Sequence, residues 1–139
     1  MSFLLDTCTV SELTKPSPNP GVLTWFDAQD SSALYLSVLT VGEIEKGIAG
    51  LRPGRKQQGV TSWVATLRAT YADRILPINT ASATIWGRMA ALVERHGGSL
   101  GVVDGLIAAT AVHHGYTVVT RNTDDFAATG VALLNVWQD

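Results

Sequence analysis

Phe3-Leu4-Leu5-Asp6-Thr7 is the stretch on which the reading of this chain turns. Three large apolar residues in succession, without alternation, fit a short strand covered on both faces, as in the middle of a parallel sheet. Asp6 then stands at the carboxyl end of that strand, where the loops of an open α/β sheet part and leave a crevice for ligands. A short carboxylate in this place equally suits the cap of a following helix. The five residues alone support both roles, and the rest of the chain has to separate them.

Working outward, Thr9 to Leu13 is a short helical stretch stopped by Pro16, Pro18 and Pro20, which cannot continue a helix. Pro20 to Gln29 carries Val22, Leu23, Trp25 and Phe26 at helical spacing, and Ala33 to Ser37 is a second apolar, strand-like run. Val41 to Ile48 reads as a helix ended by Gly50. A polar connection around Pro53 to Gly59 leads to a helix marked by Val60, Trp63, Val64, Leu67 and Tyr71.

Arg74 to Ile78 is a weaker strand, because Pro77 lacks a donor and suits a sheet edge. Ser82 to Arg95 is an amphipathic helix through Ile85, Trp86, Met89, Leu92 and Val93, ended at Gly97-Gly98. Val102 to His114 is the next helix, with Ile107, Ala108, Ala111 and Val112 on one side and Gly115 as its stop. Thr117 to Thr120 and Val131 to Val136 are the fourth and fifth strands, the fourth rich in β-branched residues. Strands alternating with helices imply a mostly parallel sheet covered on both faces. Residues 1–139 show no repeat or linker and read as one domain.

Composition narrows the function classes. Hydrophobic residues make up 46% of the 139, the composition of a packed globular core rather than a disordered chain. Cys8 is the sole cysteine, so no internal disulfide forms, cysteine-based zinc sites are excluded, and a reducing, cytoplasmic setting is expected. No apolar run approaches the ~20 residues of a membrane span, so no membrane partner is expected. The formal net charge of −2 argues against a broad basic nucleic-acid surface. Arg52, Arg55 and Lys56 around Pro53-Gly54 form the one dense basic cluster; a solvated loop and a local RNA contact both account for it.

Topology selects among the twelve acids. In a parallel α/β sheet the helix N-termini lie at the same edge as the strand C-termini. Asp6 ends the first strand, Glu43 opens the helix after the second, Asp104 opens the helix before the fourth, and Asp124 and Asp125 follow the fourth. All five therefore face one crevice. Each has a structural alternative: Thr40 to Glu43 spells a capping box, Asp104 suits the positive end of a helix, and Asp124-Asp125 suits a turn. Asp104 nonetheless sits among Leu100, Val102, Val103, Leu106 and Ile107, where an unpaired carboxylate is costly and a metal ion offsets the cost.

An all-oxygen cluster suits Mg²⁺ or Mn²⁺ rather than zinc, and such ions typically serve phosphoryl chemistry. No phosphate-binding glycine motif follows any strand, so a nucleotide cofactor is not indicated. His113 and His114 fit the negative end of their helix and need no metal.

At this point the residues resemble the PIN-domain ribonucleases, specifically the VapC or FitB-like toxins of bacterial toxin-antitoxin pairs. The matching motifs are Leu5-Asp6-Thr7 with Ser11-Glu12, Ser37 to Gly47 (S-x-x-T-x-x-E-x-x-x-G), Asp104 to Ala111 (D-x-x-I-A-A-x-A), Thr120-Arg121-Asn122 with Asp125-Phe126, and Leu134-Asn135-x-Trp137. The resemblance implies a three-layer α/β/α sandwich with a five-stranded parallel sheet, Mg²⁺-dependent endoribonuclease activity on an RNA substrate, inhibition by a small DNA-binding antitoxin, and homodimers that enter larger toxin-antitoxin assemblies. It implies that Asp6, Glu43 and Asp104 are the metal-site acids. A fourth acid often follows the Thr-Arg pair directly in this family, where this chain has Asn122; Asp125 matches another form of the motif, and Asp124 is its neighbour. In this reading Thr7 and Asn122 hold the acids in place, and Arg121 either meets the scissile phosphate or packs beneath the site.

Two other readings compete. An aspartyl-phosphate phosphatase also uses an aspartate ending its first strand, but it carries a second aspartate two positions on, where this chain has Cys8. A non-catalytic PIN-like scaffold would bind an antitoxin or RNA without cutting.

Overall fold

The computed structural model describes residues 1–139. Five parallel strands, β1 (Phe3–Leu5), β2 (Leu34–Ser37), β3 (Ile75–Leu76), β4 (Thr117–Val119) and β5 (Leu133–Leu134), stand in the order β3-β2-β1-β4-β5. The expected three-layer α/β/α sandwich is therefore present, with β1 at its centre. Helices α1 (Thr7–Glu12), α2 (Pro20–Ala28), α3 (Val38–Ala49), α4 (Arg55–Thr70), α5 (Thr80–Arg95), α6 (Val102–His114) and α7 (Thr123–Phe126) fill the connections.

Alternation along β1 explains why its apolar run is continuous. Phe3 and Leu5 point into a core shared with Leu34, Leu36, Ile44, Val64 and Tyr71. Leu4 points the other way, into a second core with Ile107, Ala108, Val118 and Phe126. Leu4 and Leu5 are almost completely buried, each contributing about 2 kcal/mol of apolar burial. Asp6 continues the parity of Leu4 and so leaves the strand toward the α6 side.

Several boundaries differ from the sequence reading. The helix expected over Val41 to Ile48 begins at Val38, because the Ser37 hydroxyl accepts from the Leu39 amide and caps it. The Thr40 to Glu43 capping box is thus not formed: both residues lie inside α3. The polar connection over Pro53 to Gly59 is mostly the start of α4. Helix α7 has no counterpart in the sequence reading, since four residues carry no periodic signal. Leu92 and Val112, expected on core faces, are 53% and 45% exposed.

The C-terminal segment is tied back to the start of α2. The Asn19 carboxamide oxygen caps that helix through the Gly21 amide at 3.0 Å and accepts from the Gln138 amide at 2.9 Å. A Cβ at Gly21 would run into the Val136 carbonyl and lie 2.8 Å from the Gln138 nitrogen. Gly21→Ala is therefore expected to cost about 1–3 kcal/mol by overpacking, read as a lower urea midpoint; an unchanged midpoint would mean that the tail is not docked in solution. Gly42 and Gly47, by contrast, lie inside α3 with nothing within 4 Å of the place a Cβ would take, although glycine in a helix interior costs about 1 kcal/mol relative to alanine.

Candidate metal centre

Asp6 is 5% exposed and fully engaged. Its backbone N–H continues the ladder to the Val119 carbonyl at 3.0 Å. Its Oδ1 accepts from the Thr7 amide at 2.8 Å, which makes Asp6 the N-cap of α1. Its Oδ2 accepts from the Thr120 hydroxyl at 2.8 Å and faces the Cys8 thiol at 3.5 Å. The cap and the crevice-facing carboxylate are thus one group, because a carboxylate has lone pairs to spare.

Thr120 is the residue that sequence reasoning missed. It is completely buried at the end of β4, its N–H is held by the Leu134 carbonyl at 3.0 Å, and its hydroxyl accepts from the Asn122 amide at 3.0 Å while donating to Asp6. Asn122 reaches the site through its backbone N–H, which holds the Thr120 hydroxyl that donates to Asp6. A polar residue closing a β-branched strand with the parity of Val118 was the available signal. Thr120→Val is expected to leave Asp6 and the Asn122 amide short of a partner and to cost about 1–3 kcal/mol. Urea unfolding checks this, and a midpoint equal to wild type would show that water replaces the hydroxyl.

Glu43 is positioned from the other side. Thr7 Oγ1 donates to Glu43 Oε1 and lies 3.2 Å from the buried Thr40 hydroxyl. Thr7 has one proton to give, and the Glu43 carboxylate and the Thr40 hydroxyl are its two acceptors. Thr7 thus ties the start of α1 to Glu43.

Asp104 lies in the first turn of α6. Its carboxyl is pushed up from 3.8 to about 6, first by burial and then by the charges of Asp6, Asp125 and Glu43. These four acids thus share one electrostatic environment. Asp125, rather than its neighbour Asp124, bears on Asp104, although both stand in the first turn of α7. As the side chains stand, no three acids close on one point at ligating distance. Like charges in a shared crevice repel one another, and the set is all oxygen, which is what a hard cation takes. Arg121 is exposed and lines a small hollow with Cys8, Glu12, Lys15, Asn122 and Trp137. Glu12, buried at 6% exposure, lies apart from the four acids: it pairs with Lys15 at 2.8 Å and accepts from the Asn19 amide at 2.9 Å.

A doubly covered parallel sheet with an acid-lined crevice at its carboxyl edge defines the class of the molecule. The PIN domain model matches residues 3–132, and the chain belongs to the PIN domain family. It is 38% identical over 138 residues to toxin FitB of Neisseria gonorrhoeae, covering 99% of each chain. It is 37% identical over 137 residues to VapC ribonuclease Y4jK of Sinorhizobium fredii, covering 98% of each. The crystal structure of FitAcB from Neisseria gonorrhoeae superposes with a TM-score of 0.93 at 37% identity, covering 99% of both chains.

Proposed function

We propose that this chain is a metal-dependent endoribonuclease, the toxin of a toxin-antitoxin pair. The observation that carries the reading is the crevice itself: Asp6, Glu43, Asp104 and Asp125 arrive from four different parts of the fold, and two of them are held by dedicated threonines. Their oxygen donors fit Mg²⁺ or Mn²⁺, with Asp6, Asp104 and Glu43 as the main ligands and Asp125 as the fourth. A bound ion of this kind supplies Lewis-acid polarisation of a phosphodiester and a more acidic water. Asp6 is held rigidly for this role by the Thr7 amide and the Thr120 hydroxyl. Glu43, fixed by Thr7, orients the attacking water. Arg121 is exposed, and in this reading it would meet the scissile phosphate.

Both relatives named above support the reading, one through the name ribonuclease and the other through the name toxin. A small DNA-binding antitoxin is the expected partner, since the solved structure of FitAB bound to a DNA fragment also superposes with a TM-score of 0.93. An apolar groove of about 290 Å³, with Val10, Leu23, Phe26, Trp63 and Leu67 on its walls, is open to such a partner. Leu92 and Val112 remain for the second copy of a homodimer. No helix is long and apolar enough to cross a membrane, in keeping with the proposed cytoplasmic setting. The phosphatase reading loses ground, because the position two residues on, where such an enzyme carries its second aspartate, holds the Cys8 thiol facing Asp6.

The test is direct. Purified protein with structured RNA and Mg²⁺ is expected to cleave, and EDTA or Asp6→Asn is expected to stop it. Cleavage that survives in Asp6→Asn would overturn the site assignment, and RNA binding without any cleavage would favour the scaffold.

A further inference from the structure

One groove leads away from the acidic crevice, and most of its wall is not used by the site described above. It is a hollow of about 610 Å³ along the outer face of α3, lined by Val38, Gly42, Glu43, Lys46, Gly50 and, across from them, Val103. Glu43 and Val103, the neighbour of Asp104, place one end at the crevice. Gly50 places the other end at the C-terminus of α3, about 10 Å beyond Glu43 by helical rise.

Beyond the distal end, outside the groove's own lining, the basic cluster stands where α4 starts against the end of α3. The Gln57 side chain donates to the Ile48 carbonyl at 3.0 Å and to the Leu51 carbonyl at 3.2 Å, clamping the start of α4 onto the end of α3. Arg52, Arg55 and Lys56 are consequently gathered there, all exposed. Lys15, Arg68 and Arg74 each pair with an acid, whereas Lys46, Arg52, Arg55 and Lys56 pair with none.

The dipole of α3 accounts for Lys46, which stands in its last turn, but not for Arg55 and Lys56. Arg55 and Lys56 occupy the first turn of α4, the positive end of its dipole, with no acid in that turn and no side-chain cap at Gly54. Cations there oppose the helix and each other. Gly42 and Gly47 leave the outer side of α3 bare, which lets a partner approach the helix backbone closely.

We propose that this groove is the path by which a single-stranded RNA segment enters the crevice, its phosphates meeting Lys46 midway and Arg52, Arg55 and Lys56 at the far end. Lys46 is the cation of the groove's lining, the exposed cluster beyond its far end adds three more, and its near end holds Glu43, one of the acids that would act on the RNA. The proposal rests on the ribonuclease reading and adds the substrate's route to it.

The experiment measures binding of a fluorescent single-stranded RNA in EDTA, where no cleavage intervenes, and then steady-state cleavage in Mg²⁺. The triple variant Arg52→Gln, Arg55→Gln, Lys56→Gln is expected to bind about tenfold more weakly, with a log-log salt slope shallower by about 2. Its KM should rise with kcat little changed, the pattern of lost uniform binding. Gly47→Leu should also weaken binding about tenfold while its thermal midpoint stays at or above wild type, since leucine favours the helix, so misfolding cannot explain the loss. Wild-type affinity, salt slope and KM in both variants would overturn the route and leave the ribonuclease reading standing on wild-type cleavage. Weakened self-association in sedimentation with unchanged RNA affinity would assign the face to a second copy of the chain, which also overturns it. A wild-type protein that neither binds nor cuts RNA would remove both readings together.

Discussion

Asp104→Asn is expected to abolish RNA cleavage and, in the same molecule, to raise the thermal midpoint of the metal-free protein at neutral pH. The Asp104 carboxyl is pushed up to about 6 by burial and by Asp6, Asp125 and Glu43, so at pH 7 the folded protein carries a charge that its surroundings disfavour. Asparagine removes that charge at nearly constant shape. Asp104 is only half-buried, and after discounting for solvent screening the gain is about 1 kcal/mol, or a rise of about 3 °C. Differential scanning calorimetry in EDTA checks it, and a lower midpoint would show that Asp104 is held by contacts rather than opposed by its neighbours.

The sign with pH follows from the same group. Its folded value lies above its unfolded one, so between about pH 4 and 6 the folded state binds more protons, and metal-free stability contributed by Asp104 falls as pH rises through that window. Divalent-cation binding runs the opposite way, because the ligand must be ionised. Mg²⁺ affinity and cleavage should therefore rise with pH through about 6, and the thermal shift produced by Mg²⁺ should shrink below it. A Mg²⁺-induced shift of equal size at about pH 5 and about pH 7.5 would contradict this linkage.

Asp6→Asn should lose cleavage on the order of a thousandfold or more, as expected when a ligand to a catalytic ion is removed, but with the opposite effect on stability. The Asp6 oxygens receive the Thr7 amide and the Thr120 hydroxyl, each at 2.8 Å, and an amide nitrogen in place of one oxygen cannot accept. One of those two donors then has no partner in a buried site, costing about 1–2 kcal/mol. The same chemical change thus stabilises at Asp104 and destabilises at Asp6. Urea unfolding of the two variants side by side, with cleavage assays, tests the pair; equal shifts of one sign would mean that the two carboxylates are not distinguished as described.

Much of the fold and of the acid set is legible in the chain because it is local. Phe3-Leu4-Leu5 has no choice but a doubly covered strand, and the place of Asp6 at its end follows from the period of the strand. Glu43 and Asp104 are readable because a parallel sheet puts strand ends and helix starts at one edge regardless of strand order. Cap chemistry is harder: Ser37 and Thr40 both suit a helix start, and only the observed start at Val38 frees Glu43 from the capping box to meet Thr7.

What the sequence by itself determined is the layered fold and the set of acids able to meet, since both follow from periodicity and from the geometry common to all parallel α/β sheets. Tertiary structure alone decided the rest. Thr120 lies 114 positions from Asp6, and no local pattern announces a contact across such a separation. Asp125 is set apart from Asp124 in the sequence only by its place before Phe126, and the packing of α7 against α6 sets Asp125 against Asp104. The basic cluster looks like part of a loop in the sequence, and only the Gln57 bonds show that it stands where α4 starts against the end of α3. Each of these depends on which surfaces meet when the sheet closes, a property of the whole chain rather than of any segment.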